Sequence, residues 1–233
     1  MKIHLEKLNS RPLSWSSISS WEWNKEDWAK KYLDGIEQPS NPEMEFGKKV
    51  GKRLETDPTY LPMIPRRSKM EHPFNVSLSG IKLTGYADTF CTVTFKAGDE
   101  YKTGVKPWDQ KRVDEHGQIT MYLLMNYITN KIKPEDVEFA LHWMPTVRKE
   151  SGNFEVVIDF VPDIENNIKH FKTKRTMVDI LKFAAYIKKT YKAMQKYALA
   201  YKGSIYTPGG VIPDSLGETQ VPTARSLYSS KGR

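Results

Sequence analysis

The spacing of apolar residues changes character several times along the chain. Residues 1–60 read as helical. Trp15, Ile18, Trp21, Trp28 and Tyr32 fall at spacings that give one apolar side to two pieces, Ser16 to Trp23 and Asn24 to Leu33. Asn24 can cap the second piece, with Asp27 three positions on. After the loop Gln38-Pro39-Ser40-Asn41, Asn41 is a cap and Pro42 a first helical residue. Phe46, Val50 and Leu54 then share one stripe of a helix that runs to about Glu55 and stops at Asp57-Pro58.

Pro62, Pro65 and Pro73 make the next stretch irregular, around a basic knot at Arg66-Arg67-Ser68-Lys69. From Asn75 to Thr103 the period becomes two. Val76 and Leu78, Ile81 and Leu83, and Cys91, Val93 and Phe95 predict three strands broken by Gly80 and Gly98. A helix over Asp109 to Thr129 follows, with Met121, Leu124 and Ile128 as its buried stripe, then strands at Val137 to Trp143 and Phe154 to Phe160. Thr176, with Asp179 at the capping-box distance, opens a last helix that is apolar along Ile180, Phe183, Ala184, Ile187, Tyr191, Met194 and Ala198. The order predicts an α/β fold with a mixed sheet flanked by helices. One domain covers 1–201, helical over 1–60 with its core at 75–201, and a Gly/Pro/Ser-rich extended tail covers 202–233.

Composition narrows the chemistry. With 39% hydrophobic and 12% aromatic residues in 233, the chain can bury a real core. Its formal charge of +8 favours an anionic partner. No apolar run approaches the length of a membrane span, and Met1 to Leu8 lacks the apolar stretch of a signal peptide, so a cytoplasmic protein is expected (or one in the host cytoplasm, for a viral chain). The single cysteine, Cys91, excludes an intramolecular disulfide and any four-cysteine zinc or iron–sulfur site, and reads as a small buried residue in a strand. His4, His72, His116, His142 and His170 show no metal-ligand spacing. Enzymatic chemistry would therefore rest on carboxylates, lysines and a hard metal ion.

Such a group exists. Gly85-Tyr86-Ala87-Asp88 is followed, after eleven residues, by Glu100-Tyr101-Lys102-Thr103-Gly104. Alternate side chains share a face of a strand, so Glu100 and Lys102 project together, and Asp88 on the preceding strand can bring a second carboxylate. Two carboxylates with water and phosphate oxygens suit Mg²⁺, and a nearby ammonium can orient water or neutralise charge on phosphorus. The register is a strict condition. A turn centred on Ala97 would set Asp88 opposite Lys106, so the turn must be longer and centred near Thr94, or a bulge must intervene. On the next helix Gln118 and Tyr122, four apart, lie on one face.

This pattern resembles the RecB-like exonuclease branch of the PD-(D/E)XK nuclease superfamily. The likeness runs from Gly85 through Gly104 to Gln118-Ile119-Thr120-Met121-Tyr122. Weaker echoes lie at Leu13-Ser14-Trp15-Ser16-Ser17-Ile18 and Phe46-Gly47-Lys48-Lys49-Val50. The resemblance implies a restriction-endonuclease-like core and a metal-dependent deoxyribonuclease, an exonuclease acting in recombination, repair or replication. Asp88 and Glu100 would hold one or two Mg²⁺ or Mn²⁺ ions, Lys102 would be the catalytic lysine, and Gln118 and Tyr122 would support the site. Two departures stand out. Gly51 occupies the place of the histidine that many members carry, with Glu45 or Glu55 as candidate substitutes, and the cluster-binding cysteines are missing. The first motivates an alternative, a nuclease-fold protein that binds DNA or a partner without cutting. Arg66, Arg67, Lys69, Lys172, Lys174 and Arg175 are candidate DNA phosphate contacts. Trp15, Trp21, Trp23 and Trp28 could stack on bases but fit core positions better. No membrane binding is expected, and a protein partner or homo-oligomer is left open.

Overall fold

The computed structural model describes residues 2–37, 39–150 and 156–203. Most of the tail expected over 202–233 lies outside them, as does the start of the strand expected at Phe154. The helices are α1 (Lys2–Ser10), α2 (Trp15–Trp23), α3 (Lys25–Ala29), α4 (Pro42–Thr56), α5 (Gln110–Asp114), α6 (Gly117–Asn130), α7 (Ile164–Asn167) and α8 (Met177–Ala200). The strands are β1 (Lys69–Leu78), β2 (Ile81–Phe90), β3 (Ala97–Gly104), β4 (Glu138–Glu150), β5 (Val156–Phe160) and β6 (Lys169–Thr173).

The caps act as the sequence predicts. Asn24 Oδ1 accepts from the Glu26 and Asp27 amides, Asn41 Oδ1 accepts from Met44 N at 2.8 Å, and Thr176 and Asp179 cap α8 reciprocally. α3 continues as one π turn over Lys30–Asp34, closed by Gly35 at φ 77°.

The six strands form a mixed sheet in the order β1-β2-β3-β4-β5, with β6 also on β4. β3 and β4 are parallel, and every other pair is antiparallel. One face carries α6, with α8 and the N-terminal helices behind it, around Trp28, Leu83, Phe90, Met121, Phe139 and Ile187. The other face carries α4, whose Val50 and Leu54 meet Ile64, Met144 and Ile168.

Three expectations are corrected. The alternation at Cys91, Val93 and Phe95 is not a strand. Residues 91–96 are the turn between β2 and β3, with Val93 81% exposed, Phe95 at φ 56° and Asn126 Nδ2 bonded to Phe95 O. Cys91 accordingly lies in a turn rather than a strand, half-buried, and hydrogen bonds from Thr94 lower its thiol to about 7. The single helix expected from Asp109 to Thr129 is broken at Glu115-His116. There the buried Arg175 guanidinium donates to Val113 O at 3.0 Å and His116 O at 3.5 Å, giving those carbonyls partners outside the helix. β6, a charged segment of sequence Lys-His-Phe-Lys-Thr, is a strand only because β4 supplies its ladder.

Candidate active site

The register condition is met. Phe90 pairs with Gly98 and Thr89 with Asp99, so the turn centres on Thr94 and Asp88 comes level with Glu100. The ladder stops there. Instead of another backbone pair, Asp88 Oδ2 accepts from Tyr101 N at 2.5 Å, and the strands part beyond it. A carboxylate is thus built into the gap between β2 and β3.

Glu100 and Lys102 point to the α6 side. Lys102 Nζ donates to Glu100 Oε1 at 2.6 Å and to Gln118 Oε1 at 3.0 Å. Gln118 Nε2 donates to Tyr122 OH at 2.6 Å, and Tyr122 OH donates to Tyr86 O. The motif glycine has a steric reason. A Cβ on Gly85 would lie 2.9 Å from Tyr122 Cε1, so only glycine lets that ring lie against β2. One chain of hydrogen bonds therefore links β3, the first turn of α6 and β2. All five residues expected in the site converge.

The Glu100 side chain is 2% exposed, and its Oε2 is buried with no hydrogen-bond partner. Burial, followed by the negative charge of Asp88, raises the Glu100 carboxyl to about 8 against the pull of Lys102. Burial also raises Asp88, opposed by Lys102 and the Tyr101 amide. For Lys102 burial acts downward, but Glu100 and Asp88 outweigh it and hold the ammonium charged. Tyr122 is pushed well above the usual phenol range by burial and by Glu100. Two buried acids beside one another, one with an oxygen left over, fit a divalent cation. Among the described residues no three His, Cys, Asp or Glu side chains converge closely enough to enclose an ion alone. The remaining oxygens would have to come from water and substrate.

Asp88 and Lys102 open into a cleft of about 700 Å³ between β3 and α4, with Lys48, Lys52, Glu55 and Glu71 on its walls. A Cβ on Gly51 would meet no atom within 4 Å, so the position of the absent histidine is open cleft. Of the two candidate substitutes, Glu55 lines the cleft, while Glu45 is turned to Lys48 at 2.8 Å.

Sequence reasoning missed Glu71. It sits at φ 47° in β1, at the one missing pair in the β1–β2 register, opposite Asp88. Burial and then the charge of Asp88 raise its carboxyl. A non-glycine residue in the left-handed region costs about 1–2 kcal/mol. Glu71→Gly is therefore expected to stabilise the protein by about 1 kcal/mol while removing a carboxylate from the cleft. Urea unfolding showing a loss of stability would contradict this.

His116 lies between Trp15 and Trp108, with ring centroids 6.0 and 5.0 Å away, and its Nδ1 is buried and unpartnered. Burial, then the charges of Lys102, Arg112 and Arg175, push it from 6.5 down to about 3. The unfolded chain takes up this proton first. The contribution of neutral His116 is thus complete above about pH 6.5 and is lost as pH falls towards 3, by about 2–3 kcal/mol at roughly pH 4.5. His116→Phe should flatten the acid limb of the stability curve; an unchanged limb would refute this origin.

The basic positions divide. Arg66 donates to the carbonyls of Leu54, Asp57, Tyr60 and Ile64, which clamps the loop after α4. Arg67 is paired with the fully buried Asp99 at 2.6 Å. Arg175 is 4% exposed and spent on Thr120, Thr173 and backbone carbonyls. These three are corrected: their donors face inward because buried oxygens nearby need them. Lys69, Lys172 and Lys174 are exposed, Lys172 reaching Glu138 at 3.2 Å. Of the tryptophans, Trp21 and Trp28 are core, Trp15 is half-buried and Trp23 is 87% exposed.

Comparison with protein-family models finds no match, and neither does comparison with curated proteins. Among solved structures, the chain is similar to a "putative exonuclease" from Eubacterium rectale, with TM-score 0.48 and 12% identity over 82% of this chain and 83% of that one. It is also similar to a phage-related exonuclease from Haemophilus somnus 129PT, with TM-score 0.48 and 13% identity over 83% and 90%. No helix among the described residues is long and apolar enough to cross a membrane.

Proposed function

We propose that this chain is a metal-dependent deoxyribonuclease of the PD-(D/E)XK superfamily, of the RecB-like exonuclease kind, acting in DNA recombination, repair or replication. The observation that carries the reading is the convergence of Asp88, Glu100 and Lys102 where β2 and β3 part, with Glu100 Oε2 buried and unpartnered. Asp88 and Glu100 would hold one or two Mg²⁺ or Mn²⁺ ions. Such an ion supplies Lewis-acid activation of water and charge neutralisation at phosphorus.

The chain's own residues do the rest. Gln118 and Glu100 fix the Lys102 ammonium beside the gap between β2 and β3, from which it would orient the attacking water and offset charge on the phosphoryl oxygens. Tyr122, anchored on Tyr86 O, holds Gln118 in place. Lys48 and Lys52 line the far wall, where the DNA backbone would run.

The test is Mg²⁺-dependent degradation of end-labelled DNA, which Asp88→Asn should abolish. Equal degradation by both proteins would sink the proposal. The open cleft at Gly51 supports a second reading, a nuclease-fold protein that binds without cutting. Titration calorimetry separates the two: Mn²⁺ heat that disappears in Glu100→Gln supports the enzyme.

A further inference from the structure

α8 packs on α6 and α1 through Ile180, Ala184, Ile187, Met194 and Ala198. Its outer face carries Lys182, Lys188, Lys189, Lys192 and Lys196, all exposed. At 3.6 residues per turn the five fall within an arc of about 120°, and 1.5 Å per residue spreads them over about 21 Å. They are five of the positive charges behind the chain's net +8.

None of the five has an ion-pair partner among the described residues. The only acid in α8 is Asp179, which accepts from the amide and hydroxyl of Thr176 and, three residues before Lys182, feels only that one lysine of the five. α4 is organised differently: Lys48, Lys52 and Arg53 each face an acid three or four residues away. On α8 the pairs Lys188–Lys192, Lys189–Lys192 and Lys192–Lys196 repel at those same spacings, which weakens the helix rather than supporting it. Lys188 and Lys192 also border a groove of about 550 Å³ against the β1–β2 turn at Ser79-Gly80, with Asn9 and Gln195 alongside.

We infer that this ridge is a docking surface for the phosphate backbone of duplex DNA. It rests on the nuclease reading only for the choice of polyanion. Over about 21 Å a duplex carries about twelve phosphate charges on its two winding strands, enough anions for all five lysines to find a partner. A membrane surface fits less well, since the apolar residues of this face, Val178, Leu181 and Leu199, stand at its ends and form no broad apolar side. Unlike Arg66, Arg67 and Arg175, whose donors are turned inward, the ridge lysines are exposed.

The test is binding of fluorescent duplex DNA to the full chain in EDTA across a salt series. The variant K188Q/K189Q/K192Q should keep or slightly raise the wild-type melting temperature, since it removes the repelling pairs, and lower the slope of log Kd against log salt by about 2–3. The corresponding Lys→Arg variant should keep the slope. An unchanged slope in the Gln variant overturns the inference, as does wild type that binds phosphatidylserine vesicles through these lysines but not DNA. Asp88→Asn separates the two ideas, since it should lose cleavage and keep the slope. Wild type that fails to cut DNA with Mg²⁺, yet binds it through the ridge, would reject the nuclease and leave the ridge standing.

Discussion

Lys102→Ala should lower Mg²⁺-dependent DNA degradation by at least about 10³-fold, or about 4 kcal/mol of transition-state stabilisation. Lys102 Nζ is the only positive charge held between Glu100 and Gln118, at 2.6 and 3.0 Å. Alanine leaves nothing to orient the water or to offset charge at phosphorus. Lys102→Arg should recover little, because a planar guanidinium cannot make the same two contacts from the same point. The folded state should survive the change. Glu100 is already raised to about 8, so without its partner it can remain protonated at neutral pH instead of standing as a bare buried charge. Circular dichroism and single-turnover cleavage measured together test this. Retained cleavage within tenfold of wild type would remove Lys102 from the mechanism.

Asp99→Ala should cost about 3–5 kcal/mol of stability, a fall in Tm of roughly 10 °C. Asp99 is fully buried. It accepts from Arg67 Nε at 2.6 Å, Arg67 Nη2 at 3.2 Å and His142 Nε2 at 2.9 Å, and His142 Nδ1 meets His170 Nδ1 at 2.5 Å. Alanine removes the only acid of this network and leaves the Arg67 charge half-buried. Asp88→Ala offers the contrast: burial already disfavours its charged form, so the loss should cost only about 1–3 kcal/mol, for the Tyr101 amide left without its acceptor. The pair of variants therefore separates a carboxylate that holds the sheet together from one whose proposed part is in binding metal. A cost below about 1 kcal/mol for Asp99→Ala would show that the network is dispensable.

Side by side, Asp99 and Glu100 show what local sequence can and cannot convey. Both are acids in one strand, and alternation alone sends them to opposite faces. The motif spacing singles out Glu100, through its relation to Asp88, Lys102 and Gln118. Nothing near Asp99 announces its role, because Arg67, His142 and His170 lie 32, 43 and 71 positions away in the chain. Glu71 is hidden for the same reason: its importance lies in a backbone angle and in the strand opposite.

The chain's own pattern determined the capped starts of α3, α4 and α8, the buried stripes of α6 and α8 and the mixed sheet, and it picked out five side chains that the fold brings together. These rest on interactions within a turn or two of helix, or on alternation along one strand, which depend only on neighbouring residues. Tertiary structure alone decided where β2 and β3 separate, that the helix after Pro107 breaks over Arg175, and that Lys-His-Phe-Lys-Thr becomes a strand. It also decided which basic residues face outward. Arg66, Arg67 and Arg175 turn inward because buried carbonyls and Asp99 need donors, whereas the α8 lysines form no ion pair among the described residues and keep their charge at the surface. A guanidinium's destination is set by the oxygens that folding brings near it, and those are distant in the chain.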